Sequence, residues 1–343
     1  MPSIRNYTLG VFGSGLLVFG SGLLGGVTAA TLYHLGTRAP ATPNVRPPPA
    51  SEGPVSHVPV SSPPTLGVPA HMTAAKEIMK YGFPGPVSDL LYRTAYVGSY
   101  NRSLRNPNWV AEHLTARSVA ANPGVAGLLE AALDEEKPDR QKSAFREDQQ
   151  IPRLFRAHLK DFVGSGFDRG HLVPAADVVE SQDAMDETFL LTNISPQVGK
   201  GFNRNYWFYF EHFVRTLTKD FDDVYVITGP LYLPKLEDDG KHYVKYEMIG
   251  NPPNVAVPTH FYKVVLGVKG KTEAMATFVL PNTEIGDVPL QEFVLPLDAV
   301  ERAAGVVFFP EVNRLAYKPL CGVIKCDLHK FLVAAKPKRR KSA

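Results

Sequence analysis

Gly164-Ser165-Gly166-Phe167-Asp168-Arg169-Gly170-His171 puts an acid, a fixed cation, a base and permissive glycines on one short turn. A histidine near its ordinary pKa takes a proton from water at neutral pH, and an arginine beside it offers a planar fork of donors to a phosphate. That combination suits phosphodiester cleavage. On its own it fits equally a surface turn with an Asp-Arg pair and a backbone-satisfied histidine, so the rest of the chain must decide.

Downstream, Asn193-Ile194-Ser195-Pro196-Gln197 reads as a turn leading into a helix. From Asn203 to Asp220 apolar residues recur at Trp207, Phe210, Phe213, Val214 and Leu217, the three-and-four spacing of an amphipathic helix. Asn203, Glu211 and Arg215 are spaced by multiples of four and project from one broad side, with Trp207 bracing that stripe. Taken alone, Glu211 and Arg215 would pass for an exposed four-apart ion pair.

Strand character marks Val224 to Thr228, the alternating Tyr243 to Ile249, Phe261 to Val268, and Ala276 to Leu280. Asp238-Asp239-Gly240 has the chemistry of a hairpin tip, which favours antiparallel neighbours. Strands do not alternate regularly with helices. The expectation is therefore α+β, an antiparallel sheet core flanked by helices.

The chain has 343 residues and a net charge of +3, so it is no polycation and any nucleic-acid binding rests on a local basic surface. Four segments are expected. Residues 1–36 carry no charge between Arg5 and Arg38 and contain an apolar run long enough to cross a hydrocarbon core. With Glu52 the first acidic residue, this segment reads as a mitochondrial presequence merging into a membrane anchor, a secretory signal being the competing reading. Residues 37–70 are a proline-rich linker, residues 71–335 the folded domain, and residues 336–343 a basic tail. Cys321 and Cys326, with no further cysteine, are either free thiols or one local bridge.

Together, Asp168-Arg169-Gly170-His171, Asn193 to Gln197, and Asn203 with Trp207, Glu211 and Arg215 closely resemble the DNA/RNA non-specific endonucleases that carry a ββα-metal site. Ala184 to Phe189, Thr228 to Pro234 and Val255 to Phe261 look like a mitochondrial subgroup of that family, and the resemblance runs from about Ala75 to Ala335. It implies Asn203 as the single side chain on a Mg²⁺ ion, with Mn²⁺ as a substitute. It implies His171 as general base, Glu211 holding a water of the cation, and Arg215 and Arg146 near phosphate, while Arg169 either contacts phosphate or braces the turn. Asp168 is expected to brace the turn and Asn193 to orient the site, unless Asn193 merely bonds its own turn.

The resemblance further implies cleavage of double- and single-stranded DNA and of RNA to 5′-phosphate ends. It implies a homodimer at the mitochondrial inner membrane, with the catalytic domain in the intermembrane space and relocation to the nucleus on release. Two other readings are a non-catalytic, membrane-anchored nucleic-acid-binding protein, which the completeness of the site disfavours, and a related mitochondrial exonuclease. The exonuclease carries an added carboxy-terminal module, for which the roughly thirty residues after Pro310 are too few.

Overall fold

The computed structural model describes residues 70–83, 89–120 and 138–328. The expected membrane segment, the basic tail and all but the last residue of the linker lie outside them. Among the described residues no helix is long and apolar enough to cross a membrane.

Helix α1 (Ala70–Ile78) leads into strands β1 (Asp89–Tyr92), β2 (Tyr96–Asn101) and β3 (Asn106–Leu114). A short hairpin strand β4 (Phe167–His171), helix α2 (Gln182–Glu187) and strand β5 (Ile194–Val198) follow. Then come helix α3 (Phe208–Thr216), the long strand β6 (Asp223–Leu231), and the short strands β7 (Lys235–Leu236), β8 (His242–Tyr243), β9 (Met248–Ile249) and β10 (Val255–Ala256). Strands β11 (His260–Lys269) and β12 (Thr272–Pro281), helix α4 (Leu297–Ala304), strand β13 (Lys318–Pro319) and helix α5 (Leu320–Val323) complete the order.

Seven strands form the main sheet in the order β1-β2-β3-β6-β11-β12-β13, antiparallel except where β13 joins β12. Period-two alternation sends Val224, Val226, Phe261 and Val265 to one face and Tyr225, Ile227, Tyr262 and Val264 to the other. The first face is covered by Phe202, Tyr206, Trp207, Phe210, Phe213, Val214 and Leu217, and the second by Ala75, Ile78, Val300, Phe308 and Phe309. The expected α+β architecture is what the chain adopts, with helices on both sides of the sheet.

The predicted helix is present in altered form. Residues Gly199–Trp207 make a wide turn with non-helical backbone at Lys200 and Gly201, α3 continues it, and a tighter turn Leu217–Lys219 ends it. Gly201 has φ 80°, a conformation that glycine adopts freely, and its amide donates to the Asn205 side chain at 2.9 Å.

The single strand expected over Tyr243 to Ile249 is not formed: only its two ends are paired, in β8 and β9. The residues between them are exposed, and an alternating sequence without a neighbouring strand to pack on does not hold a strand. The hairpin tip itself is correct, with β7 pairing β8 across Asp238-Asp239-Gly240. Cys321 and Cys326 form a disulfide.

Candidate active site

Strands β4 and β5 pair antiparallel, setting Gly170 opposite Ser195 and His171 opposite Ile194. The Ser195 hydroxyl donates to the Asn106 side chain at 2.6 Å, which fastens this hairpin to β3 of the main sheet. Asn193, fully buried, clamps the chain just past His171. Its Oδ1 accepts from the Val173 amide at 3.0 Å, and its Nδ2 donates to the carbonyls of Val173 (3.0 Å) and Thr188 (2.8 Å). The bond to Thr188 is local, whereas the two to Val173 cross to the chain that follows His171.

Gly170 has a packing reason to lack a side chain. A Cβ there would fall less than 3.0 Å from the side chain of Gln197, which is fully buried. Gly170→Ala is expected to cost about 1–3 kcal/mol through overpacking. Urea unfolding checks this, and an unchanged midpoint would show that Gln197 has room to move.

His171 is 8% exposed and packs against two rings that also touch each other, Phe189 at 4.8 Å in an edge-on arrangement and Phe145 at 5.3 Å. Its Nε2 has no hydrogen-bond partner among the described residues. Burial, aided by the Arg140 charge, holds its pKa down to about 3, so the ring is neutral at physiological pH. The unfolded chain takes up a proton here near the ordinary value of 6.5 while the native chain does not. Stability from this group is therefore lost as pH falls from 6.5 towards 3. Across that window the wild-type stability curve should drop more steeply than that of His171→Ala, by up to about 1.4 kcal/mol per pH unit. Parallel curves in urea titrations would refute it.

The Asn203 Nδ2 donates to the Asp168 carboxylate at 2.9 Å. Because a carboxylate only accepts, this orients the amide and leaves its Oδ1 as the free end, a hard neutral oxygen suited to Mg²⁺. The donor set thus fits a magnesium ion that keeps most of its waters. Asp168 also receives a forked contact from Arg204, with Nε at 2.7 Å. Arg204, with 68% of its side chain exposed, pairs with Asp168, and Asp168 thereby ties the hairpin to the turn bearing Asn203.

Glu211, half-buried on α3, has its pKa raised to about 7, chiefly by burial, with Lys263, Asp177, Arg215 and Arg140 acting on it in turn. Arg215 is committed to Asp177, with only 13% of its side chain exposed, so its charge acts from behind Glu211 rather than from the open surface. Glu112 on β3 hydrogen-bonds Asp177, and burial lifts its carboxyl well above the usual carboxylate range. Lys263 on β11 donates to Thr228 at 2.7 Å and lies over the Trp207 ring at 5.2 Å. Arg146 is exposed on a segment held by backbone bonds to Phe189 and Leu191, and Arg169 lies over the Phe145 ring at 4.6 Å.

Sequence reasoning missed Asp177, Glu112, Lys263, Arg140 and the two phenylalanine walls. Phe145 and Phe189 do sit inside stretches that resemble the family. His260, which reads as a sheet-edge residue, begins β11 with its Nδ1 3.0 Å from the Thr259 hydroxyl.

A second cluster lies on the opposite face of the sheet. Glu77, His113 and Asp223 bring ligand-type atoms within 4.8 Å of one another. There His113 pairs with Asp223 at 2.8 Å, Glu77 accepts from Tyr225 at 2.7 Å, and Lys80 reaches Glu77 at 3.4 Å. The protein's own ammonium group supplies the positive charge at this cluster.

A β-hairpin and a following helix, with a neutral histidine on one and an asparagine at the head of the other, make up the ββα arrangement of nucleases that act on phosphodiesters. The family model described as DNA/RNA non-specific endonuclease matches residues 74–315; the chain belongs to that family and is a non-specific endonuclease. It is 50% identical over 262 residues to a "Nuclease" of Syncephalastrum racemosum, covering 74% of this chain and 78% of that one. It is 46% identical over 257 residues to the "Mitochondrial nuclease" of Saccharomyces cerevisiae, covering 73% and 74%. Among solved structures it is similar to the one described as "Crystal structure of the EndoG/EndoGI complex: Mechanism of EndoG inhibition", with a TM-score of 0.66 and 46% identity over 74% of this chain and 96% of that one.

Proposed function

We propose that the chain hydrolyses phosphodiester bonds in DNA and RNA with His171 as general base and Asn203 as the protein ligand of Mg²⁺, or of Mn²⁺ in its place. The observation that carries this reading is the buried, neutral His171 with an unpartnered Nε2, set on the hairpin that Asp168 ties to Asn203. His171 accepts the proton of a water whose oxygen attacks phosphorus, and the bond to the 3′ oxygen breaks, that oxygen keeping the bonding pair and taking a proton from solvent to give a 3′-hydroxyl and a 5′-phosphate end. The bound cation supplies charge stabilisation on the phosphoryl oxygens. Glu211 accepts hydrogen bonds from water beside Asn203, and Arg215 and Asp177 hold its surroundings at fixed charge. Arg146 and Arg169 present cations to the phosphate, which every nucleotide carries, so no base is read.

In the cell the proposed setting is the mitochondrion, in line with the name of the yeast relative. There the enzyme would be tethered at the inner membrane as a homodimer with its domain in the intermembrane space, degrading mitochondrial nucleic acid and, after release in cell death, nuclear DNA.

Plasmid nicking in Mg²⁺, in EDTA and by Asn203→Ala tests the site. Cleavage should require the cation, and the variant should bind Mg²⁺ at least about tenfold more weakly by calorimetry, the scale seen even for residues that only support a metal ligand. Cleavage that persists in EDTA, or unchanged cation affinity, would overturn the assignment.

A further inference from the structure

Three polar side chains on adjacent strands of the main sheet share the face that α3 covers. Glu112 on β3 is 3% exposed and Lys263 on β11 is 1% exposed, and Thr228 on β6, the strand between them, accepts from the Lys263 ammonium. Their neighbours on that face include Val110, Leu114, Val226, Phe261 and Val265. Apolar residues of similar size would fill such a place with no loss of stability, so a carboxyl and an ammonium buried there call for another reason.

That reason lies in what Glu112 touches. Its carboxyl hydrogen-bonds Asp177, which ends the short turn Ala175–Asp177 on the segment that runs on from His171. Asp177 also accepts from the Arg215 guanidinium, and Arg215 stands one helical turn beyond Glu211 on α3. Glu112, Asp177 and Arg215 therefore join the sheet, the segment of the histidine and the helix that follows Asn203. Two carboxyls share a hydrogen bond only if one of them carries a proton, because an ionised carboxylate only accepts. Asp177 faces the Arg215 charge, so the proton belongs on Glu112, whose carboxyl burial lifts well above the usual range. The other titratable groups around Glu112 are Lys263 and Glu211, then Tyr96 opposite it on β2. Glu77, His113 and Glu180 border a cavity of about 180 Å³ that Glu112 and Asp177 also line.

We propose that Glu112 is a positioning residue for the cleavage reaction: its carboxyl donates to Asp177, and Asp177 holds Arg215, so that α3 presents Glu211 to the water of the cation beside Asn203. This rests on the hydrolytic reading above. Glu112 acts through Asp177 and not by contact with substrate.

Two variants of the full chain separate the donor from the volume it fills: Glu112→Gln keeps a hydrogen-bond donor, and Glu112→Met keeps the bulk without one. By calorimetry Glu112→Met should bind Mg²⁺ about tenfold more weakly than wild type, the low end for residues that support a metal ligand, and Glu112→Gln should stay near wild type. Plasmid nicking at saturating Mg²⁺ should rank the three proteins in the same order. A smaller folded fraction would lower the rate but not the cation affinity of the folded molecules. The proton itself is read from urea unfolding across pH. The unfolded chain loses it near the ordinary value of 4.5 while the native chain keeps it, so stability from this group is lost as pH rises above 4.5. Between about pH 5 and 7 the unfolding constant of wild type should rise relative to that of Glu112→Gln by up to about tenfold per pH unit. Parallel curves, equal losses in both variants, or wild-type cation affinity in Glu112→Met would overturn the proposal. If wild type does not cut at all, the hydrolytic reading fails instead, and the unfolding curves still decide whether Glu112 holds Asp177 through a proton.

Discussion

His171→Ala is expected to lower cleavage of plasmid DNA and of RNA by about 10²- to 10⁴-fold, the contribution of a positioned general base. The reason lies in the walls around the ring. Phe145 and Phe189 pack against the imidazole, burial keeps it neutral, and Nε2 is left with no partner within the described residues. Among the described residues no partner is bonded to His171 Nε2, so none of them stands ready to replace its lone pair when the ring is removed. The fold should survive, because Asn193 and the β4–β5 pairing hold this backbone without the imidazole. Initial rates alongside circular dichroism check both halves, and a folded variant with wild-type rate would remove His171 from the chemistry.

Asp177→Ala should destabilise the domain by about 3–5 kcal/mol, because it leaves Arg215 largely buried without its anion. Five charged or titratable groups share this region: Glu112, Asp177, Glu211, Lys263 and Arg215. With two cations and three carboxyls, charge balances when one carboxyl keeps its proton, and burial beside Asp177 pushes the Glu112 carboxyl well above the usual carboxylate range. Deleting Asp177 upsets this balance, whereas deleting Arg215 as well removes the stranded charge. The double variant Asp177→Ala/Arg215→Met should therefore lose less stability than the sum of the singles. Urea unfolding of all four proteins measures this, and strict additivity would show that the two side chains do not depend on each other.

Much of the site was legible because its parts are local. Asp168 through His171 and Ile194 through Gln197, both read as turns, are instead the paired strands of one hairpin, which sequence spacing does not show, while the spacing of Asn203, Glu211 and Arg215 follows from helical rotation, which survived even the wide turn at Gly199–Trp207. The long strands β6, β11 and β12 were legible because branched and aromatic residues recur at the period of a pleated surface. Tyr243 to Ile249 has the same pattern and forms only its ends, because the pattern does not say whether a neighbouring strand is there.

By itself the sequence determined the class of fold and the long strands β6, β11 and β12, which follow from backbone periodicity, and it offered His171 and Asn203 as candidates for a base and a hard oxygen. Only the tertiary structure decided which charges are spent and which remain open. Arg204 goes to Asp168, Arg215 goes to an aspartate on another segment, and Arg140 and Arg169 lie over the two phenylalanines packed on one histidine. Those pairings are set by how distant elements pack, where a buried charge must find a partner and an exposed one need not.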